Sequence, residues 1–306
     1  MTFNPKRSGD MMDTIDIKER YRMKMMGEAR SILLATDGSD YSKGAVREAI
    51  AFSRECNTML KIIRVLEVNP AYESMGFEYS GEMIKMVEEE LDAVRDEAAM
   101  NNVECTTAIR RAERVHEAII EEAQSHTSDI IIMGRRGMTG LKKFIMGSVT
   151  AKVIAGTTSK VLVVPKDTQL RGETLLVASD GSQYSDCAVD EAIGMASRCP
   201  TVKSLSAVSV VSDKSKLSQA KNILKKITDK AASKGVKIET FPLVGQPYKT
   251  LVNASLEMAA DIIIMGNYGS TGLTGIFMGS VAERVIALCM CSVLVVKKSV
   301  ERIHNN

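Results

Sequence analysis

Two glycine-rich segments of this chain have the residue types and the spacing of a phosphate-binding loop. The first reads Gly134-Arg-Arg-Gly137 and, after nine further residues, Gly147-Ser-Val149. The second reads Gly266-Asn-Tyr-Gly269 and, after nine residues, Gly279-Ser-Val281. Glycine lets a backbone approach a phosphate without a Cβ clash, and the amides and partial positive charge of a helix N-terminus stabilise the anion. One such loop is often only a turn, but two with identical spacing favour nucleotide binding.

An aspartate-containing turn precedes each glycine loop and belongs to a duplicated segment. Ser31-Ile-Leu-Leu-Ala-Thr-Asp37-Gly-Ser39 recurs 143 positions later as Thr174-Leu-Leu-Val-Ala-Ser-Asp180-Gly-Ser182. The carboxylates of Asp37 and Asp180 could contact a ligand, or each could form an Asx turn that caps the following helix. Self-similarity over so long a period indicates two duplicated domains rather than a solenoid of short repeats.

The duplication divides the 306 residues into two copies of ordinary domain size. The predicted boundaries are an N-terminal extension at 1–26 that could be disordered, a first domain at 27–168, a second at 169–298 and a tail at 299–306. Asp129–Gly134 recurs as Asp261–Gly266 only 132 positions later, so the second copy lacks a net 11 residues. The loop Asn69–Gly81 accounts for them, and it could be a lid or a simple length variation.

Short apolar runs alternate with amphipathic stretches in both copies, which is the pattern of βα units around a parallel sheet. The predicted strands of the first copy are Ile32–Ala35, Lys61–Val65, Val103–Ile109, Ile130–Met133 and Val161–Val164. In the second of the four intervening helices, apolar residues recur at steps of three and four over Ile84–Ala98, and Leu217–Ala231 repeats that spacing. We expect these apolar faces to pack on the sheet of an α/β fold.

Composition and charge exclude several other classes of protein. Hydrophobic residues make up 45% and charged residues 25% of the chain, so neither a disordered nor a fibrous protein is indicated. The net charge is only +2 and the two signs are interspersed, so we expect no nucleic-acid partner. No apolar run approaches the roughly 20 residues that span a bilayer. Because the N-terminus also lacks a secretory signal, we expect no membrane association and a cytoplasmic location.

The side chains that usually catalyse reactions or hold metals form no recognisable site. The six cysteines lie in scattered contexts, the closest pair being Cys289-Met-Cys291, so we expect buried, reduced thiols rather than zinc ligands or disulfides. Neither glycine loop ends in the Lys-Ser/Thr of a P-loop, and the protein-kinase motifs are missing. None of the three histidines is placed as a general base. We therefore assign no catalytic residue and no metal ligand, and expect at most weak ATP hydrolysis.

The glycine loops and aspartate turns resemble those of the universal stress protein family. ATP-binding members of that family carry G-x2-G-x9-G-(S/T) after the fourth strand and a short Asp-containing turn after the first. The resemblance covers roughly 27–168 and 172–298. It implies, for each copy, an open five-stranded parallel sheet of order 3-2-1-4-5 with helices on both faces, and an adenine nucleotide (ATP, ADP or AMP) as ligand. In that order the winding reverses between strands one and four, where open α/β sheets bind ligands.

Carried over residue by residue, the family pattern implies one site in each copy. In the first copy the adenosine, ribose and phosphates would lie among Ala35, Thr36, Asp37, Val65, Met133, Gly134, Gly137, Gly147, Ser148 and Val149, with Val65 at the adenine edge. The corresponding residues of the second copy are Ala178, Ser179, Asp180, Val208, Met265, Gly266, Gly269, Gly279, Ser280 and Val281. The family's G-x-P turn before the third helix is kept as Gly245-Gln-Pro247, but the first copy has Glu113-Arg-Val115. A carboxylate there would oppose phosphate binding if it pointed inward.

These features favour a nucleotide-binding sensor or regulatory protein of the stress response. Two alternatives remain open: a slow ATPase in which Mg²⁺ held by the phosphates positions a water, and a dimerisation scaffold with vestigial pockets. Arg135, Arg136, Lys142 and Lys143 lie in the first loop only. If they reach the phosphates, the first site prefers ATP while the second discriminates less and holds AMP; otherwise they are solvated charges.

The last strand of each copy would form an exposed sheet edge. Such edges must be covered or paired, so Lys160–Val164 and Ser292–Val296 are predicted to pair with each other antiparallel. The family's habit supports this arrangement, which makes the chain a pseudo-twofold dimer. Other surfaces then remain free for a homodimer.

Overall fold

The structure, a computed structural model, describes residues 29–73, 79–137, 145–269 and 278–297. In this part of the chain ten strands alternate with eight helices of at least nine residues. The strands are β1 (Ile32–Ala35), β2 (Leu60–Glu67), β3 (Cys105–Ala112), β4 (Ile130–Gly134), β5 (Lys160–Val164), β6 (Thr174–Ala178), β7 (Ser204–Val211), β8 (Glu239–Val244), β9 (Ile262–Gly266) and β10 (Ser292–Val296). The helices are α1 (Lys43–Cys56), α2 (Gly81–Met100), α3 (Val115–Ser125), α4 (Ser148–Gly156), α5 (Gln183–Arg198), α6 (Leu217–Ser233), α7 (Pro247–Glu257) and α8 (Ser280–Leu288). The predicted extension at 1–26 and tail at 299–306 lie outside the described residues.

All ten strands form one sheet, in the order β3-β2-β1-β4-β5-β10-β9-β6-β7-β8. Within each half every neighbouring pair is parallel. Parallel neighbours need a crossover connection, and the helices provide it. Each half has the order 3-2-1-4-5 in its own count, so the predicted α/β fold class is confirmed.

The two halves join through an antiparallel pair between β5 and β10. Val161–Val163 runs opposite Val293–Val295, and all six residues are buried. Pairing removes the exposed edge that each five-stranded sheet would otherwise have. The predicted pairing of the fifth strands is therefore confirmed, and it joins the two sheets of the pseudo-dimer into one.

Helices cover both faces of the sheet and bury two apolar cores. On one face α1, α2, α5 and α6 pack residues such as Leu91 and Leu224. On the other, α3, α4, α7 and α8 pack residues such as Ile119 and Ile286. Because both faces are covered, β1 and β4 are buried along their whole length, which explains their continuous apolar sequences. None of the helices in the described ranges has the length and apolar character needed to cross a bilayer.

The apolar faces predicted for Ile84–Ala98 and Leu217–Ala231 both pack on the sheet. The buried residues of the two helices are Val87, Leu91 and Ala98 in α2, and Ala220, Leu224, Ile227 and Ala231 in α6. The longer loop that precedes α2 is described only in part, since residues 74–78 lie outside the described ranges.

Candidate functional site

The connections after β1 and β4 leave the sheet toward opposite faces and open a crevice. β1 lies between β2 and β4, with α1 packed on one face and α4 on the other. Such a reversal of winding is where open α/β sheets bind ligands. In the second copy β6 and β9 are neighbours in the same way.

In the first copy this crevice is an open cavity of about 660 Å³, including space continuous with solvent. All ten residues that the sequence assigned to the first site line it: Ala35, Thr36, Asp37, Val65, Met133, Gly134, Gly137, Gly147, Ser148 and Val149. The structure therefore brings together residues that lie more than one hundred positions apart in the chain.

Further lining residues were missed by the sequence reasoning: Ser42, Ile63, Val115, Ile119 and Thr150. Side chains alternate along a strand, so Ile63 could have been inferred as the same-face neighbour of Val65. Ile119 belongs to the apolar face of α3 and could have been inferred from its helical spacing. Ile63 and Ile119 make the wall of the cavity formed by β2 and α3 apolar, whereas the wall formed by the glycine loop and α4 is polar.

The three glycines of the first loop differ in what keeps them free of a side chain. A Cβ at Gly134 would lie 2.8 Å from the carbonyl oxygen of Tyr41, and one at Gly137 would lie 2.5 Å from Oδ2 of Asp37. Gly147 has a φ of −63°, and a Cβ there would have its nearest neighbours at 3.5 Å, an ordinary contact. The fold thus requires glycine at position 134, where the neighbour is backbone, whereas at Gly137 the Asp37 side chain could move and at Gly147 a Cβ has room. A phosphate that approaches the backbone would require Gly147.

The second loop repeats this distinction. A Cβ at Gly266 would lie 2.8 Å from the carbonyl oxygen of Tyr184, and one at Gly269 would lie 2.8 Å from Oδ2 of Asp180. Gly279 has a φ of −62°, and the nearest atom to its Cβ would be at 3.3 Å. In the second copy too, the closest backbone contact is at the first glycine; the third glycine, whose neighbour is the Asn267 carbonyl oxygen, is less crowded than the first but tighter than Gly147.

The two aspartates hold the turns after the first strand of each copy. Oδ1 of Asp37 accepts hydrogen bonds from the amide and the hydroxyl of Ser39, at 3.1 and 2.6 Å. Oδ1 of Asp180 accepts one from the amide of Ser182 at 3.0 Å. These bonds are Asx turns, as that alternative expected, but the aspartates do not cap the helices: Ser182 is the N-cap of α5, and Ser42 precedes α1 as its N-cap. Ligand contact through Oδ2, which faces the glycine loop, stays a prediction.

The hydroxyl-bearing residues just before the two aspartates, Thr36 and Ser179, also stabilise the turns. Oγ1 of Thr36 donates to Oγ of Ser42 at 3.0 Å, and the matching pair Ser179 and Ser185 has the same separation. The same hydroxyls of Thr36 and Ser179 accept the amide two residues later, at 3.2 Å in both copies. The duplicated sequence has therefore kept a duplicated hydrogen-bond network beside each crevice.

The N-terminus of α4 presents main-chain donors to the cavity. Gly147 is its N-cap, and the Gly147 amide donates to the carbonyl of Arg135 at 2.9 Å. The amides of Ser148, Val149 and Thr150 follow in the first turn, where an α-helix has no acceptor for them. The same groups carry the partial positive charge of the helix end. This end of the cavity therefore suits an anion, and the exposed Ser148 hydroxyl can add a donor.

The sequence assignment of Val208 needs a correction. Val208 pairs with the last residue of β6, just as Ile63 pairs with the last residue of β1. The counterpart of Val65 is therefore Val210, two residues farther along β7. The cause is the connection between the first helix and the second strand, which is two residues longer in the second copy.

Of the two arginines of the first loop, Arg136 lines the cavity and Arg135 does not. Nη1 of Arg135 donates to the carbonyl of Cys289 in the second copy at 2.6 Å, and Arg135 is not among the lining residues of the cavity. Burial between the copies also lowers the pKa of Arg135 from its usual value. Arg136 does line the cavity. Lys142 and Lys143 lie outside the described residues.

The two different turns before the third helix leave that helix in the same place. α3 begins at Val115 and α7 at the matching Pro247. Gly245 has a φ of +152°, and a Cβ there would lie 2.5 Å from Oγ1 of Thr250, so that turn needs glycine. In the first copy Glu113 is exposed and is not among the lining residues of the cavity. Its carboxylate therefore does not face the position expected for the phosphates.

The cysteines form no metal site in the described ranges. All six are free thiols, and burial raises the pKa of Cys56 to about 11, so this thiol stays protonated near neutral pH. No group of three or more His, Cys, Asp or Glu side chains is placed to hold a metal ion in the part of the chain that the structure describes.

Comparison with known proteins assigns the family. The model of the universal stress protein family matches residues 28–165 and matches again at 173–297. The chain belongs to the universal stress protein family. The two matches correspond to the two halves of the sheet, so this universal stress protein contains two family units in tandem.

Individual relatives cover different parts of this universal stress protein. One from Methanocaldococcus jannaschii is 48% identical over 80 residues, which is 26% of this chain and 47% of that protein, so the chain spans about half of that relative. One from Synechocystis is 24% identical over 281 residues, covering 84% of this chain and 96% of that protein. The crystal structure of one from Archaeoglobus fulgidus superposes with a TM-score of 0.71 at 22% identity, over 89% of this chain and 99% of that one. The last comparison supports the tandem fold alone.

Proposed function

We propose that this universal stress protein binds an adenine nucleotide (ATP, ADP or AMP) in each copy and acts as a sensor or regulator of the stress response. The observation that carries the proposal is the cavity at the winding reversal of the first half. Its lining includes all ten residues selected beforehand for nucleotide contact.

The two walls of the cavity match the two ends of a nucleotide. Ile63, Val65 and Ile119 offer an apolar surface to a flat base. Opposite them, the amides of Ser148 and Val149 offer donors and partial positive charge to phosphates. No metal-binding cluster occurs in the described ranges, so any Mg²⁺ would be held chiefly by the phosphates.

The second copy supports a second site of the same kind. It repeats the Asx turn at Asp180, the close approach of that carboxylate to Gly269 and the N-cap at Gly279. The neutral second loop supports weaker discrimination between nucleotides, because Asn267 and Tyr268 replace the two arginines of the first loop.

Binding is favoured over rapid hydrolysis by the chemistry of the cavity wall. Asp37 is the residue with a carboxylate among the described lining residues, so it is the candidate general base. One oxygen of the Asp37 carboxylate already accepts two hydrogen bonds from Ser39. Histidine and cysteine, the other common bases, are not among them. A slow steady-state turnover of ATP, or none, is therefore expected.

Calorimetric titration of glycine variants tests the assignment. Gly147→Val and Gly279→Val place a side chain between the helix amides and the phosphates while leaving φ angles that valine tolerates. Losing two charge-assisted hydrogen bonds costs about 3 kcal/mol or more, hence about a hundredfold or more in affinity. We expect two nucleotides per wild-type chain, one for each single variant and none for the double variant.

A matched control separates the site from the general effect of adding valine at a helix start. Gly81 opens α2 away from the cavity, and a Cβ there would meet nothing within 4 Å. Gly81→Val should bind two nucleotides, and circular dichroism should show that all variants are folded. Full binding by the folded double variant would refute the assignment.

A further inference from the structure

Each phosphate-facing helix ends against the other copy, where a cation contacts a carbonyl in its last turn or just after it. Nη1 of Arg135, in the first glycine loop, donates to the carbonyl of Cys289, the C-cap residue of α8, at 2.6 Å. Nζ of Lys297, just after β10, donates to the carbonyl of Ile154 in the last turn of α4. Ile154 lies in the last turn of its helix, where carbonyls have no intrahelical donor, and Cys289 follows its helix with extended backbone. Both carbonyls therefore take a donor from outside the helix.

Arg135 contacts both proposed sites, one through its main chain and the other through its side chain. Its main-chain carbonyl accepts the amide of Gly147, which is the N-cap of α4 in the first site. Its guanidinium contacts the C-terminal end of α8, whose N-terminus belongs to the second site. A rearrangement of the first loop would therefore reach the phosphate helix of the second copy directly.

Asn267, the counterpart of Arg135, makes no reciprocal side-chain contact with the other copy within the described ranges. The carbonyl of Asn267, the counterpart of Arg135, accepts the amide of Gly279 at 3.0 Å, so the main-chain link is repeated. The Asn267 side chain is buried, with 4% exposed, and its Oδ1 has no hydrogen-bond partner in the ranges that the structure describes. The cation that contacts α4 is instead Lys297, which stands outside the second loop.

A cation at the C-terminus of α8 acts on an anion at its N-terminus. The helix has nine residues, so at about 1.5 Å per residue its two ends are about 13 Å apart. The guanidinium offsets the partial negative charge at the C-terminal end of the helix, and across this distance it attracts a polyphosphate by direct Coulomb interaction. The same contact also holds the last turn against fraying.

We propose that Arg135 is a positioning residue for the second nucleotide site, so that the affinity of that site for polyphosphate depends on the glycine loop of the first site. The inference rests on the proposed function and deepens it, because it makes the two sites energetically coupled. Coupling of this kind is reciprocal, so nucleotide at the second site also stabilises the bound arrangement of the first loop. Lys297 has the corresponding effect on the first site from outside any loop.

Measuring the second site alone tests the proposal. In a Gly147→Val background, ATP and AMP are titrated with and without Arg135→Asn, which introduces the residue found at the same position of the second loop. We expect ATP affinity to fall by about three- to tenfold and AMP affinity by less, because the effect on the nucleotide is electrostatic. Arg135→Lys, which keeps the charge, should stay within about twofold of the parent.

A control variant and a second pair of variants complete this experiment. Arg95→Asn removes the same charge from the surface of α2 and should leave ATP affinity within about twofold. A change below twofold for Arg135→Asn, or equal losses for ATP and AMP, would overturn the proposal. If Arg135→Asn does not fold, Lys297→Met in a Gly279→Val background must weaken ATP at the first site by a similar factor, and an unchanged affinity overturns it. Absence of binding in Gly147→Val itself would instead contradict the proposed function of the second site.

Discussion

Replacing Glu122 by glutamine is predicted to destabilise the first copy beside its cavity. Glu122 is a buried residue of α3, the helix that supplies Ile119 to the apolar wall. Its Oε2 accepts hydrogen bonds from Nε and Nη2 of Arg110 at 3.1 and 2.7 Å. Its Oε1 lies 2.9 Å from Nε2 of His126 and 3.5 Å from Nζ of Lys61. One carboxylate thus ties α3 to both β2 and β3.

The size of the effect follows from these contacts. Hydrogen bonds to a buried charge contribute about 1.5–3 kcal/mol each. Arg110 is 55% exposed, so solvent screens its share, and glutamine retains one acceptor. We therefore expect the free energy of unfolding to fall by about 2 kcal/mol near neutral pH.

The effect should depend on pH. Burial alone would raise the pKa of Glu122, but the hydrogen bonds from Arg110 and the charge of Lys61 outweigh burial and lower it below the usual 4.5. A carboxyl whose folded pKa is depressed contributes stability above its unfolded pKa and loses that contribution as pH falls through the folded pKa. The difference between wild type and Glu122→Gln should therefore narrow in acid.

Urea unfolding at about pH 7 and about pH 3, followed by circular dichroism, measures both quantities. The matched control is Glu121→Gln on the exposed side of the same helix, which should change stability by less than about 0.5 kcal/mol. Equal losses for the two variants at neutral pH, or a difference for Glu122→Gln that persists unchanged in acid, would refute the reasoning.

Three further predictions concern the loops and the sheet junction. Gly134→Ala, whose Cβ would clash with backbone, should lower the melting temperature by several degrees in thermal unfolding, whereas Gly147→Ala should lower it far less. Val163→Pro removes a ladder donor beside the β5–β10 pair and should increase hydrogen exchange there; unchanged exchange would contradict it. Arg136→Asn should reduce the preference of the first site for ATP over AMP in calorimetry by about tenfold, and an unchanged ratio would show a solvated charge.

The fold could be predicted from the sequence because its signals are local and repeated. Apolar runs such as Ile130–Met133 indicate strands buried on both faces, and the three-and-four spacing in Ile84–Ala98 indicates a helix on a sheet. The duplication then supported each assignment a second time. The pairing of β5 with β10 was predicted from the general need to protect sheet edges together with the habit of the family that the sequence resembles.

The site was less predictable wherever it depends on contacts between distant residues. Val208 was misplaced because two extra residues in a connection shift the register, and no local signal reveals such a shift. Arg135 was grouped with Arg136 because both are basic neighbours in one loop, yet only the assembled sheet brings Cys289 within reach of Arg135. Gly134 likewise looked like a ligand contact, although its packing against the chain is sufficient reason for glycine.

The most direct test of nucleotide binding is a crystal structure of the protein with a non-hydrolysable ATP analogue. We predict adenine against Val65 and Ile119 and phosphates within hydrogen-bond distance of the Ser148 and Val149 amides, about 2.7–3.2 Å. An analogue bound elsewhere, or one in this cavity with its phosphates turned away from the N-terminus of α4, would contradict it.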